Sequence, residues 1–176
     1  MKGYDYAQPG VYFVTICVQG RENLFGTVIG GEMQLNGGGQ MVGSWWRRLP
    51  DKFPTITIDE FAVMPNHIHG VIIIVEPDDT VGANPRVRPE SGQGQTHGSA
   101  PTLGKIMQWF KTMTTNAYIR GVKQDGWKPF LGKLWQRNYY ERIVRNEREL
   151  NAVRQYIQDN PVRWTGDQEN LERCPA

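Results

Sequence analysis

Histidine and cysteine are scarce in this chain, with three His and two Cys in 176 residues. Cys17 and Cys174 stand near opposite ends, so they offer neither a disulfide framework nor a metal-binding spacing. A reducing cytoplasm is the default setting for such a pair. Cys17 lies inside an apolar run and is expected to be a small core residue. No apolar run is long enough to cross a bilayer, since VIIIV at 71–75 has only strand length. The opening MKGYDYAQPG lacks the apolar segment of a signal peptide, so neither a membrane partner nor export is expected. No internal repeat is visible. What remains is 39% hydrophobic and 22% charged, the composition of a soluble globular chain. Its length suits one domain, or one domain with an insertion.

The net charge of +2 conceals an uneven distribution. Residues 103–163 hold 12 Lys and Arg against 5 Asp and Glu, a local surplus of +7 that leaves −5 for the rest. Such asymmetry suggests one face for a polyanion, the alternative being lysines and arginines that only solvate helices.

The pattern of elements is readable. VYFVTICVQ at 11–19, after Pro9-Gly10, predicts a strand. MVGSWWRRLP at 41–50 places Val42, Trp45, Trp46 and Leu49 at helical spacing, with Pro50 expected to end the helix. TITIDEFAV at 55–63 and HIHGVIIIV at 67–75 predict two strands joined by a Met64-Pro65-Asn66 turn, an antiparallel hairpin in the centre of a sheet. Residues 80–101 contain no aromatic residue, four glycines and three prolines, which predicts a flexible insertion carrying the third histidine, His97. LGKIMQWFKTMTTNAYIRG at 103–121 predicts a helix stopped by Gly121. KLWQRNYYERIV at 133–144 predicts a fourth strand. NERELNAVRQYIQDNP at 146–161 opens with Asn146 and Glu149, a variant capping box, and is expected to stop at Pro161. The order β-α-β-β-α-β-α implies an α+β fold, a ferredoxin-like or RRM-like four-stranded antiparallel sheet with helices on one face.

Two of the three histidines stand one residue apart, in VMPNHIHGVIIIV. Side chains alternate along a strand, so His67 and His69 share a face, about 7 Å apart at ~3.3 Å rise per residue. They can converge on one cation, or they can be exposed strand residues without a ligand. Gly70 beside them is expected to let a substrate backbone approach. His97 is poorly placed as a third ligand. Two imidazoles with one oxygen donor suit Mg²⁺ or Mn²⁺ better than zinc.

The last helix offers that oxygen. Tyr156 and Asn160 are four residues apart and share a face at the edge of the stripe formed by Leu150, Val153 and Ile157. Asn160 has a carbonyl oxygen for a hard cation, and a tyrosine beside a metal-bound phosphate can be a nucleophile. The alternative is a packing tyrosine and a helix-ending asparagine before Pro161.

These blocks resemble a known family. NHIHG resembles the HUH motif of single-tyrosine transposases, and YIQDNPVRW resembles the tyrosine helix of REP-associated tyrosine transposases and related small insertion-sequence transposases. With YFVTICVQGRENLFG and LWQRNYYERIVRNERELNAVRQYIQDNP, the resemblance runs from about Tyr4 to Trp164. It implies a single HUH transposase domain over 1–176, interrupted by the insertion at about 80–101. The HUH motif would lie on a central strand and the tyrosine on the C-terminal helix. His67 and His69 would be metal ligands and Tyr156 the nucleophile. Asn160 would replace the third ligand, a glutamine in close relatives. Tyr139 and Tyr140 fall outside the motif and are expected to pack or to stack on bases.

The activity implied is a Mg²⁺- or Mn²⁺-dependent single-stranded DNA endonuclease and strand transferase, forming a 5′-phosphotyrosine on hairpin or repeat DNA. The partner would be single-stranded or hairpin DNA, in a bacterial cytoplasm and on the nucleoid when bound. A monomer and a homodimer both fit. Lys105, Lys111, Arg120, Lys133, Arg137, Arg145, Arg154 and Arg163 are candidates for phosphate contacts, with Arg145 and Arg154 also able to pair with Glu141 or Glu149. Trp135, Tyr139 and Tyr140 could stack unpaired bases, and Trp135 could equally be core. The alternative is a non-catalytic nucleic-acid-binding module on an RRM-like sheet, which would normally show aromatics where this hairpin shows histidines. A histidine phosphoesterase without a covalent link would want a further histidine or an acidic cluster.

Overall fold

The computed structural model describes residues 9–75 and 101–167. The expected insertion, with His97, lies outside the described residues except for Pro101, and so does Cys174. Among the described residues six strands and four α-helices follow in order: β1 (Gly10–Cys17), β2 (Gly26–Ile29), β3 (Glu32–Leu35), α1 (Gly37–Arg47), α2 (Leu49–Lys52), β4 (Ile56–Val63), β5 (His67–Ile74), α3 (Leu103–Gln124), β6 (Tyr140–Val144) and α4 (Glu147–Arg163). β1, β4, β5 and β6 form one antiparallel sheet in the order β4-β5-β1-β6. That is the ferredoxin-like order, and β5, which carries the histidines, is a central strand. Its hairpin partner β4 is the edge strand rather than a second central one.

Several boundaries move for local reasons. α1 begins at Gly37, before the apolar spacing starts, because Asn36 caps it by accepting from the Gly39 amide at 3.0 Å. Pro50 sits in the first turn of α2, where its missing N–H costs nothing, so it starts a helix rather than ending one. α3 runs past Gly121 to Gln124 and ends where Gly126 takes φ +68. Gly121 is needed for packing instead, since a Cβ there would lie 2.2 Å from the Trp127 ring. α4 likewise continues through Pro161 to Arg163. Only Tyr140–Val144 of the expected fourth strand pairs regularly; Trp135 makes an isolated bridge to Val18. The β2–β3 hairpin, turned by Gly30 and Gly31 at φ +60 and +82, adds a small second sheet.

The helices do not all share one face. Tyr12, Val14, Ile16, Ile68 and Ile72 point to the face covered by α1 and α3, where Val42, Trp46, Ile106 and Phe110 fill the main core. Phe13 and Val71 point the other way and meet Leu150, Val153 and Ile157 of α4. Each aliphatic side chain buried on that stripe contributes about 1.5–3 kcal/mol relative to exposure. The expectation of helices on one face thus holds for α1 and α3, while α4 covers the opposite side. The reason is alternation along β5: Ile68 and Ile72 feed the main core, so His67, His69 and Val71 must face α4.

Candidate active site

His67 and His69 are almost fully buried beneath α4, and their Nε2 atoms lie 3.0 Å apart. The convergence is closer than strand geometry alone suggests, because the rings tilt toward each other with centroids 4.4 Å apart. Each ring is held from behind. Asn66 gives its Nδ2–H to the Arg21 carbonyl at 2.9 Å, which turns its Oδ1 toward His67 Nδ1, also at 2.9 Å. His67 Nδ1 therefore carries the proton and Nε2 presents its lone pair. The Thr15 hydroxyl lies 2.8 Å from His69 Nδ1 and can accept from it in the same tautomer. Phe13 stacks on His69 at 5.5 Å and completes its support. Such supporting hydrogen bonds fix ring orientation at metal sites.

Burial keeps both imidazoles neutral. It pushes His67 down to about 3, against an opposing effect of the Asn160 side chain and with a smaller push from Arg21. It pushes His69 to about 3 as well, reinforced by His67 and opposed by Asp167.

α4 brings the other two expected residues to the same point. Tyr156 Oη lies 3.4 Å from His69 Nε2, with the ring edge-on to Phe13 and 39% exposed at the cleft. Asn160 is 1% exposed and faces His67, yet its Oδ1 meets no hydrogen-bond donor among the described residues. A buried carbonyl oxygen without a partner costs about 1–3 kcal/mol, so it calls for an explanation. The Asp167 carboxylate, beyond the end of α4, lies with the two imidazoles in a group of atoms within 4.8 Å of one another. This His-His-Asp group can hold a metal ion, with Asn160 as a further oxygen donor beside it.

The cleft above these residues is open and about 890 Å³ in volume, and it is walled by Tyr139, Tyr140, Arg21 and Arg163. Tyr140 is exposed and edge-on to Phe13, whereas Tyr139 packs partly into the main core. Trp135 is core, its indole N–H donating to Thr114 at 2.8 Å. Cys17 is half-buried in the cleft wall opposite His67 and not in the core. Gly70 does not open the cleft, because it faces the other side of the sheet, where a Cβ would sit 2.3 Å from the Trp46 ring.

The eight basic candidates separate by their surroundings. Lys111 gives its ammonium to the carbonyls of Gln136, Arg137 and Asn138 at 3.0–3.2 Å and so shapes the loop leading to Tyr140. Arg154 forks onto Asp59 at 2.7 and 2.8 Å. Arg163 lines the cleft and pairs with Asp159 at 3.0 Å. Lys133 and Arg137 are exposed along a second depression between α3 and the loop that follows it. Lys105, Arg120 and Arg145 are exposed. Sequence reasoning missed Thr15, Arg21 and Asp167 and treated Asn66 only as a turn residue. The one legible signal was polarity: Thr15 interrupts an apolar strand on the same face as Phe13.

No protein-family model matches the sequence. An uncharacterized protein of Haemophilus influenzae is 38% identical over 168 residues, covering 96% of this chain and 89% of that one. A second Haemophilus influenzae protein, named provisionally as a REP-associated tyrosine transposase, is 24% identical over 162 residues, covering 90% of this chain and 74% of that one. A solved structure of a REP-associated tyrosine transposase bound to a REP hairpin superposes with a TM-score of 0.60 at 19% identity, over 93% of this chain and 73% of its own, and shows the same fold. Two imidazoles converge on a central strand and are faced by a tyrosine on the last helix, as the resemblance to single-tyrosine HUH transposases leads one to expect. The chain belongs to one family with the uncharacterized Haemophilus influenzae protein, and it resembles REP-associated tyrosine transposases in fold and, distantly, in sequence. Among the described residues no helix is long and apolar enough to cross a membrane.

Proposed function

We propose that this protein is a divalent-metal-dependent enzyme that nicks and rejoins single-stranded DNA next to a hairpin, using Tyr156 as nucleophile. The observation that carries the reading is the meeting of four groups from two elements, a pair from β5 and a pair from α4. The two Nε2 atoms are 3.0 Å apart, Tyr156 Oη is 3.4 Å from one of them, and the Asn160 carbonyl beside them has no partner among the described residues. Two imidazole nitrogens this close, with oxygen donors beside them, could both reach one divalent ion, and such a mixed set suits Mg²⁺ or Mn²⁺. His67, His69, Asn160 and Asp167 would hold the ion. When bound, it would draw charge from a non-bridging oxygen of the scissile phosphate.

The chain's own residues supply the rest. Tyr156 Oη attacks phosphorus from the open side of the cleft and gives its proton to solvent. The bond from phosphorus to the 3′ oxygen breaks, and that oxygen takes up a proton and leaves as a 3′ hydroxyl. The 5′ phosphate stays on Tyr156 as an ester. Attack by a second 3′ hydroxyl reverses the step, joins the strands and regenerates the phenol without an external energy source. Thr15 and Asn66 keep the imidazoles in one tautomer throughout. Arg21 and Arg163 in the cleft wall offer positive charge to the backbone, and Tyr140 offers a ring for an unpaired base. α4 covers the sheet face that an RNA-reading module would leave open, which favours the enzyme over the binding module.

The test is to incubate the protein with labelled single-stranded hairpins and Mn²⁺ and separate the products on a denaturing gel. A protease-sensitive slow band is expected in wild type and should vanish in Tyr156→Phe and His69→Ala. Binding without any such band, across a varied pool and both metals, would favour the binding module.

A further inference from the structure

The nucleophile helix is tied to the sheet by polar tethers remote from the cleft. β4 breaks register between Ile58 and Phe61, so Asp59 and Glu60 stand in a bulge. Asp59 caps its own bulge by accepting from the Glu60 amide at 2.7 Å. Its two carboxylate oxygens take a forked pair of bonds from Arg154, at 2.8 and 2.7 Å. Glu60 accepts from Gln158 Nε2 at 3.0 Å. Arg154 and Gln158 are one helical turn apart and flank Tyr156 in sequence. At 100° per residue their midpoint falls about 180° around α4 from Tyr156. Asp59 and Glu60 line a depression on the far flank of the helix and take no part in the cleft wall. Between the two flanks runs the apolar stripe of Val153 and Ile157. An apolar stripe holds a helix down but resists rolling weakly, because dispersion contacts are not directional. The tethers are directional.

We propose that Asp59 and Glu60 act as a clamp on the rotation of α4 and thereby position the Tyr156 hydroxyl, a role that rests on Tyr156 being the nucleophile. The lever is long. Tyr156 Oη stands about 9 Å from the helix axis, taking the Cα radius of 2.3 Å and the reach of a tyrosine, so a roll of about 10° moves it about 1.5 Å. Displacements of that size at a reacting atom cost on the order of 100-fold in rate. Arg154 is a positioning residue here, and its guanidinium contacts Asp59, Glu147 and Asn151.

The test uses Gln158→Glu, at an exposed position, where a second carboxylate faces Glu60. Single-turnover adduct formation at saturating hairpin DNA and Mn²⁺ should fall by about 10-fold to 100-fold. DNA affinity should stay within about twofold, because no tether lines the cleft. Adding Glu60→Gln exchanges donor and acceptor and should restore most of the rate. Asp59→Asn, which removes one charge from the fork, should slow the step in the same way. A second readout does not need activity: the ¹⁹F resonance of 3-fluorotyrosine at position 156 should move or broaden in Gln158→Glu and return in the double variant. Unchanged rate and unchanged resonance in folded Gln158→Glu and Asp59→Asn would overturn the clamp. If wild type forms no adduct, the proposed chemistry fails while the resonance still decides the clamp.

Discussion

Replacing Thr15 with valine removes one hydroxyl and keeps the shape of the side chain. Thr15 is half-buried on β1, directly across from His69, and its oxygen is 2.8 Å from His69 Nδ1. The imidazole then loses the partner that holds its Nδ1 proton, and Nε2 ceases to be the only lone pair offered to the site. Losing one hydrogen bond costs about 0.5–1.5 kcal/mol of stability. The effect on metal binding should be larger, because supporting partners of a ligand histidine are worth about 10-fold to 100-fold in affinity. That corresponds to about 1.4–2.7 kcal/mol. Calorimetric titration with Mn²⁺, run beside thermal melts, separates the two effects. Asn66→Ala should do more harm, since Asn66 is fully buried and also supports the Arg21 carbonyl. Equal Mn²⁺ affinity in Thr15→Val and wild type would refute the argument that the tautomer is set from behind the rings.

Other outcomes follow from the same contacts. Gly70→Ala puts a Cβ 2.3 Å from the Trp46 ring and should lower stability in urea by about 1–3 kcal/mol, with cleft function spared in the folded fraction; full stability would contradict the packing. Asn160→Leu removes a buried oxygen that has no donor among the described residues, so stability without metal should stay within about 1 kcal/mol of wild type while Mn²⁺ binding weakens at least about 10-fold. Retained affinity would remove Asn160 from the site. Both imidazoles stay neutral in the fold down to about 3, while an unfolded histidine takes a proton near pH ~6.5. Unfolding therefore binds up to two protons between those values. Stability from this source is complete above about pH 7 and falls on acidification by up to about 2.7 kcal/mol per pH unit. Urea midpoints between about pH 7 and 5 should show the decline, and His67→Gln with His69→Gln should flatten it; a flat wild-type profile would contradict the burial.

The site was more legible than its surroundings. Two-residue alternation placed His67 and His69 on one face, and a period of 3.6 placed Tyr156 and Asn160 together at the edge of a buried stripe. Both are local rules, and the structure joins the two pairs through α4. The covered face of the sheet was not a local matter. Nothing in α4 alone says that its stripe meets Phe13 and Val71 rather than the core under α1 and α3. Gly70 and Gly121 were misread for the same cause, since each makes room for an aromatic ring from elsewhere in the chain. Asp167 offered no motif and joins the site only because the chain turns after Trp164. The β2–β3 hairpin was readable but overlooked: Gly30-Gly31 between VI and EM is a two-residue turn signal.

The central claim is that Tyr156, and no other tyrosine, carries the DNA. Trypsin separates the candidates, because cleavage after Arg137, Arg142, Arg154 and Arg163 releases Tyr139 and Tyr140 in residues 138–142 and Tyr156 in residues 155–163. Wild type would be reacted with a single-stranded hairpin and Mn²⁺, then digested with nuclease and trypsin and measured by mass spectrometry. A 5′-phosphate nucleotide remnant is expected on peptide 155–163. A remnant on peptide 138–142, or cleaved DNA with neither peptide modified, would contradict it.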